Sequence, residues 1–397
     1  MDPQCPVRLA SRRFMHDPYP ALASLRDSMP AAVVEAGGLR MWLVTRYEDV
    51  RRILADREVG KDLVGQRREL VPRSMVDPSR RARLPAASRR SLLDRDGDDH
   101  RRLRGALAGV FSPARLAVLK PEIERRASAL LDRLPVGEPV ELLTSYVRPL
   151  VATTIADLVG VPEDERAMFP VWETAMLTAP SIAEVEEAGR ELYALALRLV
   201  ERKRAEPGDD VCTMLLGLRD EGVLDDDELA STFIVLLIGG SEPASAITSG
   251  LSLLLRHPAQ LRAVLDEPAL WPNCVEEIVR YEAPFRMLPP RFSADATVVD
   301  DVEVPARELL LLSPGSANRD PLRFSSPDSF DVRRDTRGHL GFGHGAHRCL
   351  GAELGRLETR IALRLFFERF PAAGLEEEPV WLPGLFMRRL GGLRVRL

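Results

Sequence analysis

Residues 229 to 255 form one long run of small and apolar residues, interrupted by Pro243 directly after Glu242 in "LLIGGSEPASAITSG", residues 236–250. A helix that is apolar all round has to be covered all round. The run therefore predicts a buried helix over 226–256 against which other elements must pack. Its proline removes the N–H that would bond the Gly239 carbonyl and crowds that carbonyl, at a cost of about 3 kcal/mol inside a helix. Something nearby should use that distortion.

The rest of the chain supplies the cover. In "LKPEIERRASALLDRL", Ile123, Ala127, Leu130, Leu131 and Leu134 share one face at helical spacing, with charge opposite. Comparable helices are readable near 19–29, 47–55, 98–111, 143–159, 185–204, 258–266, 270–281 and 350–368. "AAVVEA" and "RMWLVTR" around Gly37-Gly38 read as a hairpin, and 285–312 and 380–397 hold alternating segments broken by Pro and Gly. Residues 66–90 read as a long Arg-rich loop. No linker separates domains, so the expectation is one domain over 1–397, mainly α with a small β-rich region.

Composition excludes several classes. A net charge of −5 argues against nucleic acid as the main partner. The N-terminus lacks an apolar signal core, and no stretch is expected to reach the roughly 18–20 apolar residues that span a bilayer. A cytoplasmic protein without a membrane is expected. Cysteines 5, 212, 274 and 349 are far apart and lack CxxC spacing, which makes neither a disulfide framework nor a zinc ribbon.

The densest segment is "HLGFGHGAHRCLGAELGRLE", 339–358, where glycines and polar residues run into Cys349 ahead of an amphipathic helix. A helix N-terminus favours the thiolate, the form that ligates metal. Glycines 343, 345 and 351 let the backbone approach a bulky planar group. Three other readings stand beside this one. "GFGHG" lacks full dinucleotide-loop spacing and a βαβ context; His344, His347 and Cys349 would be three zinc ligands lacking an obvious fourth; or the segment is a glycine-rich turn before a helix.

The segment resembles the haem-binding signature of cytochromes P450, FGxGxHxCLG, with Phe342, Gly343, Gly345, His347, Cys349, Leu350 and Gly351 matching. Gly355-Arg356 stands where the family has Ala-Arg. The resemblance implies the P450 fold, a triangular helical prism around a buried haem b, and makes Cys349 the proximal thiolate and sole metal ligand. Other matches run along most of the chain. "VEEIVRYEAP" resembles the family's ExxR helix through Glu277 and Arg280, and "ANRDPLRFSSPDSFDVRR" resembles the following meander, with Arg334 as third member of that network and Arg333 the alternative. These residues would lock the fold. "DDHRRLRGALAGVF" resembles the HxxxR helix, so His100 and Arg104, with Arg291 and His347, are implied haem-propionate partners.

The long apolar run then resembles the helix that crosses the distal face of the haem, written (A/G)Gx(D/E)T. Gly239, Gly240, Ser241 and Glu242 fit, and Pro243 takes the threonine position. In the family that acid and alcohol relay protons to dioxygen at the haem. Here Glu242 remains as proton source and the alcohol is lost. Water at a Gly239 carbonyl freed by Pro243, or a substrate hydroxyl, would replace it; the alternative is that the proline only reproduces the family's kink.

The resemblance implies a monooxygenase acting on a small hydrophobic secondary metabolite. Dioxygen and electrons from a separate ferredoxin and ferredoxin reductase would drive it, and Arg101, Arg102 and Arg356 would form a basic docking face. Alternatives are oxidative coupling or cyclisation without oxygen insertion, a peroxygenase, and a haem protein that binds without turnover. The implied pocket draws on the 66–92 loop, the stretch around 165–185, Leu237, Phe285, Arg286, Met287, Leu288, Leu385, Phe386 and Met387. Arg286 is the candidate to meet an acidic or carbonyl-bearing substrate. A monomer is expected.

Overall fold

The computed structural model describes residues 7–9, 11–36, 39–61, 91–168, 182–293 and 295–397. The sequence-predicted 66–90 loop and most of the 165–185 stretch lie outside them. The helices are α1 (Arg12–His16), α2 (Tyr19–Ser28), α3 (Tyr47–Ala55), α4 (Gly97–Ala106), α5 (Pro113–Leu131), α6 (Arg148–Val159), α7 (Ile182–Ala205) and α8 (Val211–Asp220). They continue as α9 (Asp226–Gly240), α10 (Pro243–Arg256), α11 (Pro258–Asp266), α12 (Trp271–Tyr281), α13 (Pro314–Ala317) and α14 (Ala352–Arg369).

Local chemistry sets many boundaries. Asp225 and Glu228 form a reciprocal capping box that starts α9. Ser112 caps α5, with Pro113 at its first position. Gly160, at φ +94°, ends α6 in the left-handed conformation. The sequence reading missed α8, a ten-residue helix capped by Asp210 and too short to show a long periodic pattern.

The apolar run is two helices, where the sequence suggested one. Ser241 and Glu242 form a turn between α9 and α10, so Pro243 begins a helix, where its missing N–H has little consequence. The turn tightens to i→i−3 bonding: Glu242 N–H donates to the Gly239 carbonyl at 3.3 Å, Ala244 to Ser241 at 3.2 Å and Ser245 to Glu242 at 2.9 Å. The Gly239 carbonyl thus keeps a donor, contrary to the expectation.

Taken together, Asp226–Arg256 is long and apolar enough to cross a bilayer by length and hydropathy, which corrects the expectation that no stretch is. It lies instead in the largest core. Phe233, Leu237, Ile247 and Leu251 pack there with Ile155 of α6 and Leu354, Ile361 and Phe366 of α14.

A sheet stands beside the helices in the order β1-β2-β3-β9-β6-β4: Val7–Arg8, Ala31–Ala36, Leu39–Val44, Leu309–Leu312, Arg291–Ser293 and Val59–Gly60. The expected hairpin is β2–β3, in register from Ala31↔Val44 to Ala36↔Leu39. Two smaller sheets join β7 (Thr297–Val299) to β8 (Val302–Val304), and β5 (Pro139–Glu141), β11 (Arg394–Arg396) and β10 (Gly374–Leu375). Met41, Leu43, Phe292 and Leu311 cover one side of the main sheet together with Phe14 and Leu22, while Val33, Trp42 and Leu310 pack on the other with Tyr47 and Ile53.

Candidate active site

Cys349 lies in the turn ahead of α14, whose N-cap is Gly351. Its N–H donates to the Phe342 carbonyl at 2.8 Å and closes the loop. Gly343 and Gly345 both take φ +71°, and a Cβ on Gly345 would stand 2.2 Å from the Leu54 carbonyl oxygen, so that position admits no side chain. The cysteine is exposed at its surface although protein surrounds it. Burial pushes the free thiol's pKa up, outweighing the Gly351 N–H and the charges of Arg104, Arg348 and Arg356 that pull it down. The lowering expected from a helix N-terminus is thus the smaller effect here.

Two polar clusters brace this loop. Glu277 and Arg280, fully buried on α12, pair through two hydrogen bonds of 2.6 and 2.9 Å, and Arg280 also donates to the carbonyls of Asn318 and Pro327 at 2.8 and 2.9 Å. Arg334 reaches Glu277 at 3.2 Å, whereas Arg333 turns to Glu267. Beside them Glu276 meets His339 at 2.8 Å and Arg356 at 2.6 Å, and the Arg356 guanidinium lies 4.2 Å from the Phe342 ring centre. Burial alone would raise the Glu276 pKa, but hydrogen bonds from His339 and Arg356 hold it at about 2. Sequence reasoning missed Glu276 and His339, because a pair 63 residues apart leaves no spacing signal.

The second set surrounds His100 of α4 and His347, whose rings stand 4.2 Å apart. Asp96 holds His347 Nε2 at 3.2 Å and accepts from the Lys61 N–H at 2.6 Å. Burial, with the neighbouring His347 and Arg104, pulls the His100 pKa down to about 4, so the ring is neutral at pH 7. Burial and Arg291 pull Lys61 down to about 8. His100 Nε2, His347 Nδ1 and Arg291 Nε are buried without a hydrogen-bond partner. Buried polar atoms are nearly always paired, so this cluster fits an absent anionic acceptor such as the carboxylates of a haem. Lys61 and Asp96 are members of the cluster that no sequence motif singled out.

The α9–α10 break comes close to this loop, since Pro243 and Phe342 both flank Gly355. Nothing lies within 4 Å of a Cβ built on Gly239, whereas one on Gly240 would lie 2.3 Å from the Ile155 side chain. Glu242, three residues beyond Gly239 in a tight turn, projects from nearly the same side and forms an ion pair with Arg389. The Ser241 hydroxyl is tied back to the Ile238 carbonyl at 2.7 Å. A Cβ on Gly355 would meet Pro243 at 3.8 Å and Phe342 at 3.9 Å, ordinary contact distances, so the alanine of the resembled signature would fit there.

A family model for cytochrome P450 matches residues 167–383 of this geometry's scaffold. The chain belongs to the cytochrome P450 family. It is 37% identical over 401 residues to 6-deoxyerythronolide B hydroxylase of Saccharopolyspora erythraea, covering 98% of each chain. The identity is also 37% to the cytochrome P450 monooxygenase PikC of Streptomyces venezuelae, over 96% of this chain and 92% of that one. The tirandamycin C-bound P450 monooxygenase TamI superposes with a TM-score of 0.90 at 35% identity, over 99% of this chain and 100% of that one. This P450 is therefore an oxidoreductase of the monooxygenase type, and its family implies a haem-thiolate cofactor.

The implied pocket residues of the P450 divide. Phe285 and Met387 form a β-bridge, and with Leu288, Leu385 and Phe386 they stay half-buried. Three others do not line an opening. Leu237 is wholly buried in the main core, and Met287 in the core beneath the sheet, because each faces its neighbouring layer. Arg286 is 1% exposed and donates to the Leu385, Met15 and Gly384 carbonyls, with its guanidinium over Phe14; it fastens the N-terminal segment and has no edge left for a substrate. The expected basic face is also partly neutralised: Arg102 pairs with Glu228, Arg101 with Asp98, and Arg356 with Glu276 and Glu353.

Proposed function

We propose that this P450 is a cytoplasmic, monomeric single-domain enzyme in which Cys349 would hold haem b through its thiolate, and that it oxidises a small hydrophobic secondary metabolite. The observation that carries this reading is the accessible Cys349 thiol beside the unpartnered buried nitrogens of His100, Arg291 and His347. Those three residues, with Arg104, would bind the propionates, and Lys61 would add charge to the same side. When bound, haem supplies dioxygen activation and oxidation of a substrate C–H bond.

The protein's own residues supply position and protons. Phe342, Gly343, Leu350 and Gly351 shape the cradle, and Gly351 offers its N–H to the Cys349 sulfur. The open side of Gly239 lets a planar group and a ligand approach the distal backbone. Glu242, ion-paired with Arg389, would pass protons through its carboxylate beside that space. Water held near the break, or a substrate hydroxyl, would stand in for the missing alcohol. Electrons would come from a separate ferredoxin and its reductase.

The test is spectroscopic. Purified protein reconstituted with haem and reduced under carbon monoxide should give the thiolate-type Soret band, and Cys349→Ser should lose it while still taking up haem. Titration of the ferric form with neutral lipophiles and macrolides should then produce a low-to-high-spin shift. A carbon monoxide complex without the thiolate band would overturn the assignment.

A further inference from the structure

Three arginines reach the corner between 282–288 and the C-terminal loop 381–390. Two are occupied elsewhere. Arg286 is fastened to backbone carbonyls, and Arg388 binds Glu282 at 3.2 Å and the His16 carbonyl at 2.6 Å while its guanidinium lies 3.6 Å from the Trp381 ring centre. Arg388 and Arg389 are consecutive in an extended segment pinned by the bridges Phe285↔Met387 and Trp381↔Leu390. Side chains alternate in such a segment, so Arg389 leaves on the side opposite Arg388 and shares its side with Met387.

That side is where the α9–α10 break lies. Arg389 donates through Nη2 to Glu242, while its Nε–H is buried without a hydrogen-bond partner. A guanidinium has five N–H donors in a planar fork, so the pair with Glu242 leaves donor capacity free. The pair is electrically neutral as a unit. A neutral carbonyl oxygen can accept from the remaining edge without disturbing it, whereas a carboxylate would have to compete with Glu242 for the same charge.

We propose that Arg389 is a specificity-determining residue that anchors a ketone, ester or lactone carbonyl of the substrate, with Glu242 excluding free carboxylates. This rests on the reading of the break as the distal side of a haem pocket. The assignment follows from the strand alternation and from the unpartnered Nε–H, and it selects a chemical class that the apolar lining alone cannot distinguish.

Three ligands of equal carbon number test it: pentadecanolide, cyclopentadecane and pentadecanoate, each titrated calorimetrically into holoenzyme, with the Soret shift followed in parallel. Wild type should bind the lactone at least tenfold more tightly than the hydrocarbon and the carboxylate. Arg389→Met should abolish the preference for lactone over hydrocarbon. Glu242→Gln, which keeps Arg389 in place, should raise pentadecanoate affinity at least tenfold, a reversal that a purely structural ion pair does not predict. Equal affinity of wild type for lactone and hydrocarbon, including no measurable binding of either, overturns the proposal, as does unchanged carboxylate affinity in Glu242→Gln. The thiolate band of the carbon monoxide complex, recorded on every sample, separates these outcomes from failure of the haem assignment itself.

Discussion

Gly239 and Gly240 stand side by side at the end of α9 and face different surroundings: open space beyond the first, the Ile155 side chain against the second. The two alanine variants should therefore diverge. In Gly240→Ala the new methyl would lie 2.3 Å from Ile155 Cδ1 and 3.0 Å from its Cβ, so α6 has to move, and overpacking of this kind costs about 1–3 kcal/mol. Gly239→Ala meets nothing within 4 Å, and helix propensity favours it by up to about 1 kcal/mol. Its cost should appear in ligand binding. Thermal unfolding midpoints and ferric ligand titrations of the two variants check both halves.

Pro243→Thr returns an N–H to the break and adds a hydroxyl. If protons reach the distal side inefficiently without that alcohol, the variant should form more product and less hydrogen peroxide per NADPH consumed. The ratio is measured with a substrate that gives a spin shift. An unchanged ratio would mean that the proline is mechanically neutral.

Removing Glu277 should be severe. Arg280 is wholly buried and relies on that carboxylate, and stranding one partner of a buried pair costs about 3–5 kcal/mol. Glu277→Ala should shift denaturant unfolding by that amount or accumulate as unfolded protein. Arg333→Ala, whose pair with Glu267 is half-exposed on both sides, should change little.

Glu358 of α14 gives the protein a pH signature. It is 1% exposed, and burial raises its pKa from 4.5 to about 8, with Thr154 the one neighbour opposing the rise. A raised folded-state pKa means that the folded form holds a proton the unfolded form releases. The resulting stability is complete below pH 4 and declines as pH rises through 8, by a few kcal/mol in all. Glu358→Gln should flatten unfolding stability across this range, read by denaturant titrations at several pH values. A slope equal to wild type would contradict the burial argument.

Features that depend on near neighbours in the chain were legible from the residues alone. The Cys349 loop, the Glu277–Arg280 pair one helical turn apart, the β2–β3 hairpin and the interruption at Pro243 are all written within a few positions. Their physics is local: backbone freedom at glycine, a missing N–H at proline, the 3.6-residue turn. The Gly239 carbonyl, expected to be freed by Pro243, instead accepts from the Glu242 N–H, because the turn tightens to i→i−3 bonding.

Only the tertiary structure decided which of several equivalent residues serves the site. Arg286 looked available and is spent on backbone carbonyls, while Arg389, 147 residues from Glu242, pairs with that residue at the α9–α10 break. Leu237 and Met287 read as lining and are core, and Lys61 and Asp96 joined the histidine cluster without any motif. The sequence by itself determined the haem-type loop and an apolar helical run disturbed at Pro243, since both follow from local backbone chemistry. Side-chain direction in an extended loop follows strand register, and burial follows partners far along the chain, so those assignments waited for the fold.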